Sequence, residues 1–456
     1  MNKVYNHTLA ICPHCRKKIQ ARIIRRDDSV WLEKFCRQHG EQQVLISSDV
    51  DWYEQSRHYV KPGQEPLKRH NRQFTGCPES CGLCPQHMQH VCLPIIEITN
   101  QCQLNCPVCL KNSAEPYSLT LVDFAAMIDN LLATEGKMAV INISGGEPTL
   151  HNQLEEMISL ALEKGVQQIS VSSNGLELLY NKKLCDFLKA SQTIVALQFD
   201  GFNPGTYLFL RGRDLSQEKL EIIRLLEAEE IPFSLVATIA QGINLQEIPR
   251  LTDFFFQSKA ITMMLQPLTF TGQAAQLDRS QRVTIPCLVR QLEQSPYIKK
   301  GDFHPLPCSH YACFALSYYL IVDQGDYLSL KSFLGEENCV NICANRTLPG
   351  LDHEGFSIMR DRLYELWSAA DSSSLTDKVL SRIKTILRTL DQGNLSTRQK
   401  LALGARHMKA IFIHNFMDVD TMDLGRLMKC CNPYPGKGDQ LIPMCAENVF
   451  SAPLNS

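Results

Sequence analysis

The sequence predicts an α/β protein: an open, partial (β/α)6 barrel flanked by cysteine-rich, metal-binding N-terminal and C-terminal regions. Three observations predict it. Short apolar runs alternate with helix-period segments across residues 93–275. The 19 cysteines crowd the two ends and nearly avoid the middle, where only Cys185 falls between Cys109 and Cys287. Polar and glycine-rich turns recur just after the apolar runs, as in sheets that gather their chemistry at the carboxyl ends of parallel strands.

Taken in order, residues 93–98, 138–143, 168–171, 194–199, 233–239 and 261–265 read as buried strands. Residues 120–133, 154–162, 178–188, 219–228 and 248–256 carry apolar side chains at helical spacing. Six units fall short of the eight that close a barrel. Residues 375–390 and 398–412 read as amphipathic helices packed on the barrel. The chain divides into a mononuclear metal domain resembling rubredoxin or a zinc ribbon (1–60), an auxiliary iron–sulfur segment (61–92), the barrel (93–275) and a tail for further clusters and substrate (276–456).

Composition narrows the function. Lys plus Arg number 46 and Asp plus Glu 48, for a net charge of −2. That balance argues against a nucleic-acid partner. No apolar run reaches the ~18 residues of a membrane span, and the first residues lack a secretory pattern. A cytoplasmic chain is expected, with peripheral membrane contact left open. In a reducing compartment such thiols hold metal rather than form disulfides.

The thiols fall in groups of ligand spacing. Cys12 and Cys15, followed by Cys36 and His39, suit one tetrahedral ion, either zinc or mononuclear iron. Cys77, Cys81 and Cys84 read C-x3-C-x2-C, and so do Cys102, Cys106 and Cys109. Three thiolates at this spacing hold three irons of a cubane cluster and leave the fourth for a distant cysteine or a small molecule. In the tail, Cys308, Cys313, Cys430, Cys431 and Cys445 lie near Pro, Gly or Asn and are candidate ligands for auxiliary clusters. Cys92 reads equally as a spare ligand or a small buried apolar side chain. Cys339 and Cys343 read as an ordinary i, i+4 pair, and Cys185 and Cys287 as core.

The loop after the first strand carries Cys102, Cys106 and Cys109. That after the second carries Gly145-Gly146-Glu147-Pro148, whose glycines let backbone approach a ligand and whose glutamate can accept from an ammonium group. Ser173 and Asn174 follow the third strand, and Gln198 and Asp200 close the fourth. Together these describe a pocket for a polar cofactor beside an open iron. No catalytic triad or paired-carboxylate motif is present.

Cys102-x3-Cys106-x2-Cys109 with Gly145-Gly146-Glu147-Pro148 resembles the radical S-adenosylmethionine enzymes over residues 93–270. The resemblance implies a [4Fe–4S] cluster on the three cysteines and S-adenosylmethionine on its fourth iron. Its amine would meet Gly145, Gly146 and Glu147, and its ribose or carboxylate would meet the ends of strands three and four. Reductive cleavage would give a 5′-deoxyadenosyl radical able to abstract hydrogen from strong C–H bonds, so no general base is obligatory. One departure is Val108, where the family usually has an aromatic residue that contacts adenine.

A narrower resemblance covers nearly the whole chain. Gly76-Cys77-Pro78-x2-Cys81-Gly82-Leu83-Cys84-Pro85, Glu97-x2-Asn100-x-Cys102, Leu210-Arg211-Gly212, Pro307-Cys308-Ser309-His310 and His414-Asn415-Phe416-Met417-Asp418 are similar to the tetraether lipid synthase family, formerly described as dihydropterin dimethyltransferases. It implies a mononuclear metal in the head, three cubane clusters, a reducing partner such as ferredoxin or flavodoxin, and coupling of lipid alkyl chains. Two alternatives remain: a radical methylase of a pterin or similar small molecule, and a non-catalytic iron–sulfur electron carrier. The Gly145–Pro148 loop argues against the carrier, which needs no amine pocket.

Overall fold

The computed structural model describes residues 3–69, 77, 81–111, 116–323, 325–346, 408–436 and 439–450, with scattered positions within 358–407. The head is an antiparallel meander of β1 (Val4–Ile11), β2 (Lys18–Arg26), β3 (Ser29–Cys36) and β4 (Gly40–Ser47). Its inward face buries Ala10, Ile23, Val30, Leu32 and Val44. A short helix, Val50–Ser56, follows, its N-terminus capped by the Asp49 carboxylate on Trp52 N at 2.9 Å. The buried Lys34 ties the head to the tail, donating to the carbonyls of Ile11 at 2.9 Å and Asp420 at 2.7 Å.

The six expected strands are present: β5 (Ile95–Thr99), β6 (Val140–Gly145), β7 (Gln168–Ser173), β8 (Ile194–Gln198), β9 (Phe233–Ile239) and β10 (Thr262–Pro267). They pair in parallel, in sequence order. Strand alternation then sorts the side chains. Ile141, Ile143, Val171, Leu197, Leu235 and Leu265 join the core under the helices. Asn142, Ser170, Ala196, Gln198, Val236 and Met264 line the concave side. The crossover helices Leu121–Glu135, Leu154–Glu163, Lys182–Ala190, Ser216–Ala228 and Ile248–Gln257 supply Phe124, Met157, Leu188, Ile222 and Phe255 to that core.

The sheet does not stop at six strands. It has nine, ordered β12–β11–β13–β10–β9–β8–β7–β6–β5. β13 (Met408–His414) pairs parallel to β10, β11 (Phe314–Asp323) runs antiparallel to β13, and β12 (Asp326–Ser329) ends that edge. The sheet is mixed and open, with β5 and β12 as its outer strands.

β13 corrects only the end of the helix expected over 398–412: residues 403, 404, 406 and 407 are helical, and 408–412 are strand. Met408-Lys-Ala-Ile-Phe-Ile-His414 centres on a short apolar run, Ala410–Ile413, that strand and helix fit equally. Burial between β10 and β11 decides for strand. The helix expected over 375–390 lies mostly outside the described residues. A two-stranded ribbon, β14 (Pro433–Pro435) and β15 (Leu441–Pro443), packs Tyr434 with Ile95 of β5. No helix among the described residues is long and apolar enough to cross a membrane.

Candidate active site and metal centres

The loop after β5 brings Cys102, Cys106 and Cys109 to the mouth of a cavity of about 1860 Å³ bounded by the concave face of the sheet. Cys102 and Cys109 are exposed there, and Cys106 is half-buried. The turn is closed by Cys109 N donating to the Cys106 carbonyl at 3.0 Å. Surrounding protein still pushes the Cys102 thiol up to about 11, so metal binding here releases a proton.

The spacing of these sulfurs tests what they can hold. Among the described residues, only two groups bring three or more Cys, His or carboxylate donors within 4.8 Å of one another, and this trio is in neither. Three neighbouring thiols that do not converge on one point fit separate irons of a cluster rather than a single ion.

The paired glycines have a reason the sequence did not disclose. A Cβ on Gly146 would stand 2.3 Å from the Gln101 carbonyl oxygen, and one on Gly145 2.1 Å from that of Thr99. Gly145 also has φ of +133°. The backbone they admit is therefore the cysteine loop itself, bonded by Gly146 N to Thr99 O and Glu147 N to Gln101 O, both at 2.7 Å.

The Glu147 carboxylate is 1% exposed and already held. It accepts from Ser173 Oγ at 2.8 Å, Asn174 N at 2.7 Å and Thr149 Oγ1 at 2.7 Å. It joins the loops of β6 and β7, and the loop's backbone is what lies beside the cysteines. Asn174 Nδ2 stands 3.9 Å from Cys102 Sγ.

Asp200, expected to touch cofactor, is set behind the cavity wall rather than on it. It is fully buried, and its carboxylate receives Arg211 Nε at 2.7 Å, Arg211 Nη2 at 2.6 Å and Thr238 N at 2.9 Å, besides the Gln198 amide. Arg211 is the group that lines the cavity and bonds Cys106. Asp200 therefore acts through Arg211.

Sequence reasoning also missed Lys219. It is fully buried on the helix Ser216–Ala228 and donates to the Asn174 carbonyl and to Gln198 Oε1 at 3.0 Å. Burial brings its ammonium down to about 7. Arg211 did lie within the quoted Leu210–Gly212 motif, but no spacing linked it to Asp200. Val108 fills an apolar cluster with Leu210, Leu268 and Phe270.

In the head, Cys12, Cys15, Cys36 and His39 converge within 4.8 Å. His39 Nδ1 lies 3.5 Å from Cys12 Sγ and 3.4 Å from Cys36 Sγ. Burial pushes the Cys12 thiol up. Hydrogen bonds from Gln42 and from the backbone at Cys15 and His14 outweigh it, bringing the thiol down to about 6. A thiolate-ready tetrahedral set fits one zinc or ferrous ion.

The tail thiols lie near the second cysteine motif, near Cys92 and near one another. Cys81 contacts Cys77 and feels Cys84 and Cys430. Cys430 in turn feels Cys445 and Cys313. Arg426 is buried here, donating to Cys313 at 3.5 Å, while its Nε has no partner among the described residues. A guanidinium with a donor to spare suits the negative charge of a cluster.

Cys92 is within thiol hydrogen-bonding reach of Cys308 and Cys431, so it is no isolated apolar filler. Cys339 and Cys343 are likewise more than an ordinary pair, because His304 joins them. Cys185 is core, whereas Cys287 is only half-buried, at the seam with the head 3.1 Å from Ser48 Oγ.

Six parallel strands of an open sheet, a three-cysteine loop at their carboxyl end and a Gly-Gly-Glu loop against it define a radical S-adenosylmethionine domain. Residues 96–255 match the radical SAM superfamily, and residues 4–48 match the HMPTM N-terminal zinc ribbon domain. Residues 96–255 of the chain are thus a radical SAM domain.

The chain is 28% identical, over 97% of its length and 93% of the relative's, to a Methanocaldococcus jannaschii protein named 7,8-dihydro-6-hydroxymethylpterin dimethyltransferase. It is 30% identical to an S-adenosylmethionine-dependent nucleotide dehydratase of Selenomonas ruminantium and to a GTP 3′,8-cyclase of Chlorobaculum tepidum. Those matches cover 33% and 34% of this chain, and 51% and 47% of the relatives. It thus spans about half the length of these two. Among solved structures, Streptococcus suis SuiB bound to S-adenosylmethionine matches at TM-score 0.38 and 14% identity, over 45% of this chain and 47% of that one.

Proposed function

We propose that this enzyme abstracts hydrogen from an unactivated C–H bond of a lipid alkyl chain and couples or modifies that chain. The cavity carries the reading. At about 1860 Å³ it is larger than the ~300–1,000 Å³ of ordinary small-ligand pockets. It extends from the Cys102–Cys109 loop to the opposite strand ends at Val140, Gln168 and Ile194. Its β11–β13 wall presents Phe314, Leu316, Tyr318 and Phe412, a surface suited to methylene groups.

A [4Fe–4S] cluster with S-adenosylmethionine supplies, when bound, the low-potential electron and the hydrogen-abstracting group. The chain's residues orient and exclude. Cys102, Cys106 and Cys109 would hold the cluster. Gly145 and Gly146 press the second loop against the first, and Asp200 holds Arg211 beside Cys106. The auxiliary thiol groups suit further clusters that accept or pass electrons.

A second reading, methylation of a pterin or similar small molecule, is favoured by the polar facing wall of Asn142, Ser170, Ser172 and Gln198 and by the name of the M. jannaschii relative. Lipid extracts from cells expressing the wild type or Cys102→Ala decide between them by mass spectrometry. The lipid reading expects new coupled or modified alkyl species with the wild type alone. Unchanged lipids together with a methylated pterin would replace it with the second reading.

A further inference from the structure

We infer that His304, Cys339 and Cys343 form a second mononuclear metal site, for one thiophilic divalent ion such as zinc or ferrous iron, separate from the cubane clusters. All three side chains are buried, at 1% exposure each. Cys339 and Cys343 share one face of the helix Glu336–Cys343. His304 Nδ1 stands 2.8 Å from the Pro305 carbonyl. A proton on Nδ1 donates to that carbonyl, which leaves the Nε2 lone pair facing Cys339 Sγ at 3.4 Å. A carbonyl that fixes the tautomer in this way is a regular companion of a metal-bound imidazole.

Convergence separates this group from the others. Its three donor atoms lie within 4.8 Å of one another, as those of the head site do, whereas Cys102, Cys106 and Cys109 do not converge and neither do Cys92, Cys308 and Cys431. Metal–nitrogen and metal–sulfur bonds of ~2.0 and ~2.3 Å at a tetrahedral angle place N and S ~3.5 Å apart. The observed 3.4 Å matches that, and so do the 3.4 and 3.5 Å contacts of His39. The fourth position is left to water or another small ligand, since Cys308 is outside the converging group and pairs with Cys92.

The ion would brace the far wall of the cavity. His304 bridges to Leu316 of β11. Asn345, just past Cys343, accepts from Gln64 N at 3.0 Å and Gln89 Nε2 at 3.1 Å, holding the segment that leads to the barrel.

Crystals of the anaerobically purified full chain, measured at the zinc and iron absorption edges, test the site. A single isolated anomalous peak ~2.0–2.3 Å from His304 Nε2 and both sulfurs is expected. Absence of a peak, or a four-iron cluster bonded to Cys339 or Cys343, would overturn the inference. In solution, Cys343→Ser is expected to lose about one ion per chain and keep the visible absorption of the clusters. Loss of about four irons with that absorption would assign the cysteine to a cubane instead. The wild-type crystal stands as the test even where the variant does not fold.

Discussion

Asp200→Asn isolates the role of the buried pair behind the cluster loop. The Asp200 side chain is fully buried, that of Arg211 is 11% exposed, and their closest contact is 2.6 Å. Asparagine keeps the shape but removes the counter-charge and turns an amide toward the guanidinium. Leaving a buried charge unpaired costs about 3–5 kcal/mol. Against a domain stability of ~5–15 kcal/mol that is a large fraction. At roughly 2–4 °C per kcal/mol for a unit of this size, the melting temperature should fall by roughly 6–20 °C.

The assay is thermal unfolding of the anaerobic holoenzyme followed by circular dichroism, with iron content read in parallel. Asp200→Asn combined with Arg211→Met should recover most of the loss, because removing both charges leaves neither stranded. The reasoning is refuted if the single variant melts within about 1 °C of wild type, or if the double variant is the less stable.

Two other perturbations are sharp. Gly146→Ala drives a Cβ to 2.3 Å from the Gln101 carbonyl, so the cysteine loop must shift; a cost of about 1–3 kcal/mol and reduced iron at Cys102–Cys109 are expected, by denaturant melts and iron analysis. Lys219 titrates at about 7 in the fold and near 10.5 unfolded, so between these values the unfolded state holds the extra proton and stability rises with pH. Urea midpoints at pH 7 and 9 should show that rise in wild type and a smaller one in Lys219→Met. Equal slopes would remove Lys219 as its source.

Much of the fold was legible because six strand–helix alternations carry period 2 and period 3.6 in turn. β13 was not, since Met408–His414 offers seven residues without either period and only its neighbours decide. In the site, the spacing of Cys102, Cys106 and Cys109 is local and therefore readable. Asp200 with Arg211, and Lys219 with Asn174, are long-range pairs that no linear motif encodes. Cys92 was legible only as one of two readings and His304 not at all, because their partners, Cys431 and Cys339, are brought to them only by the fold.

The central claim is a cluster on three cysteines with one iron free for S-adenosylmethionine. Its most direct measurement is 5′-deoxyadenosine, quantified after anaerobically reconstituted protein is given dithionite and S-adenosylmethionine. The account predicts steady release by wild type and none by Cys106→Ala. Release that survives the loss of Cys106, or wild-type protein that holds iron there and releases none, would contradict it.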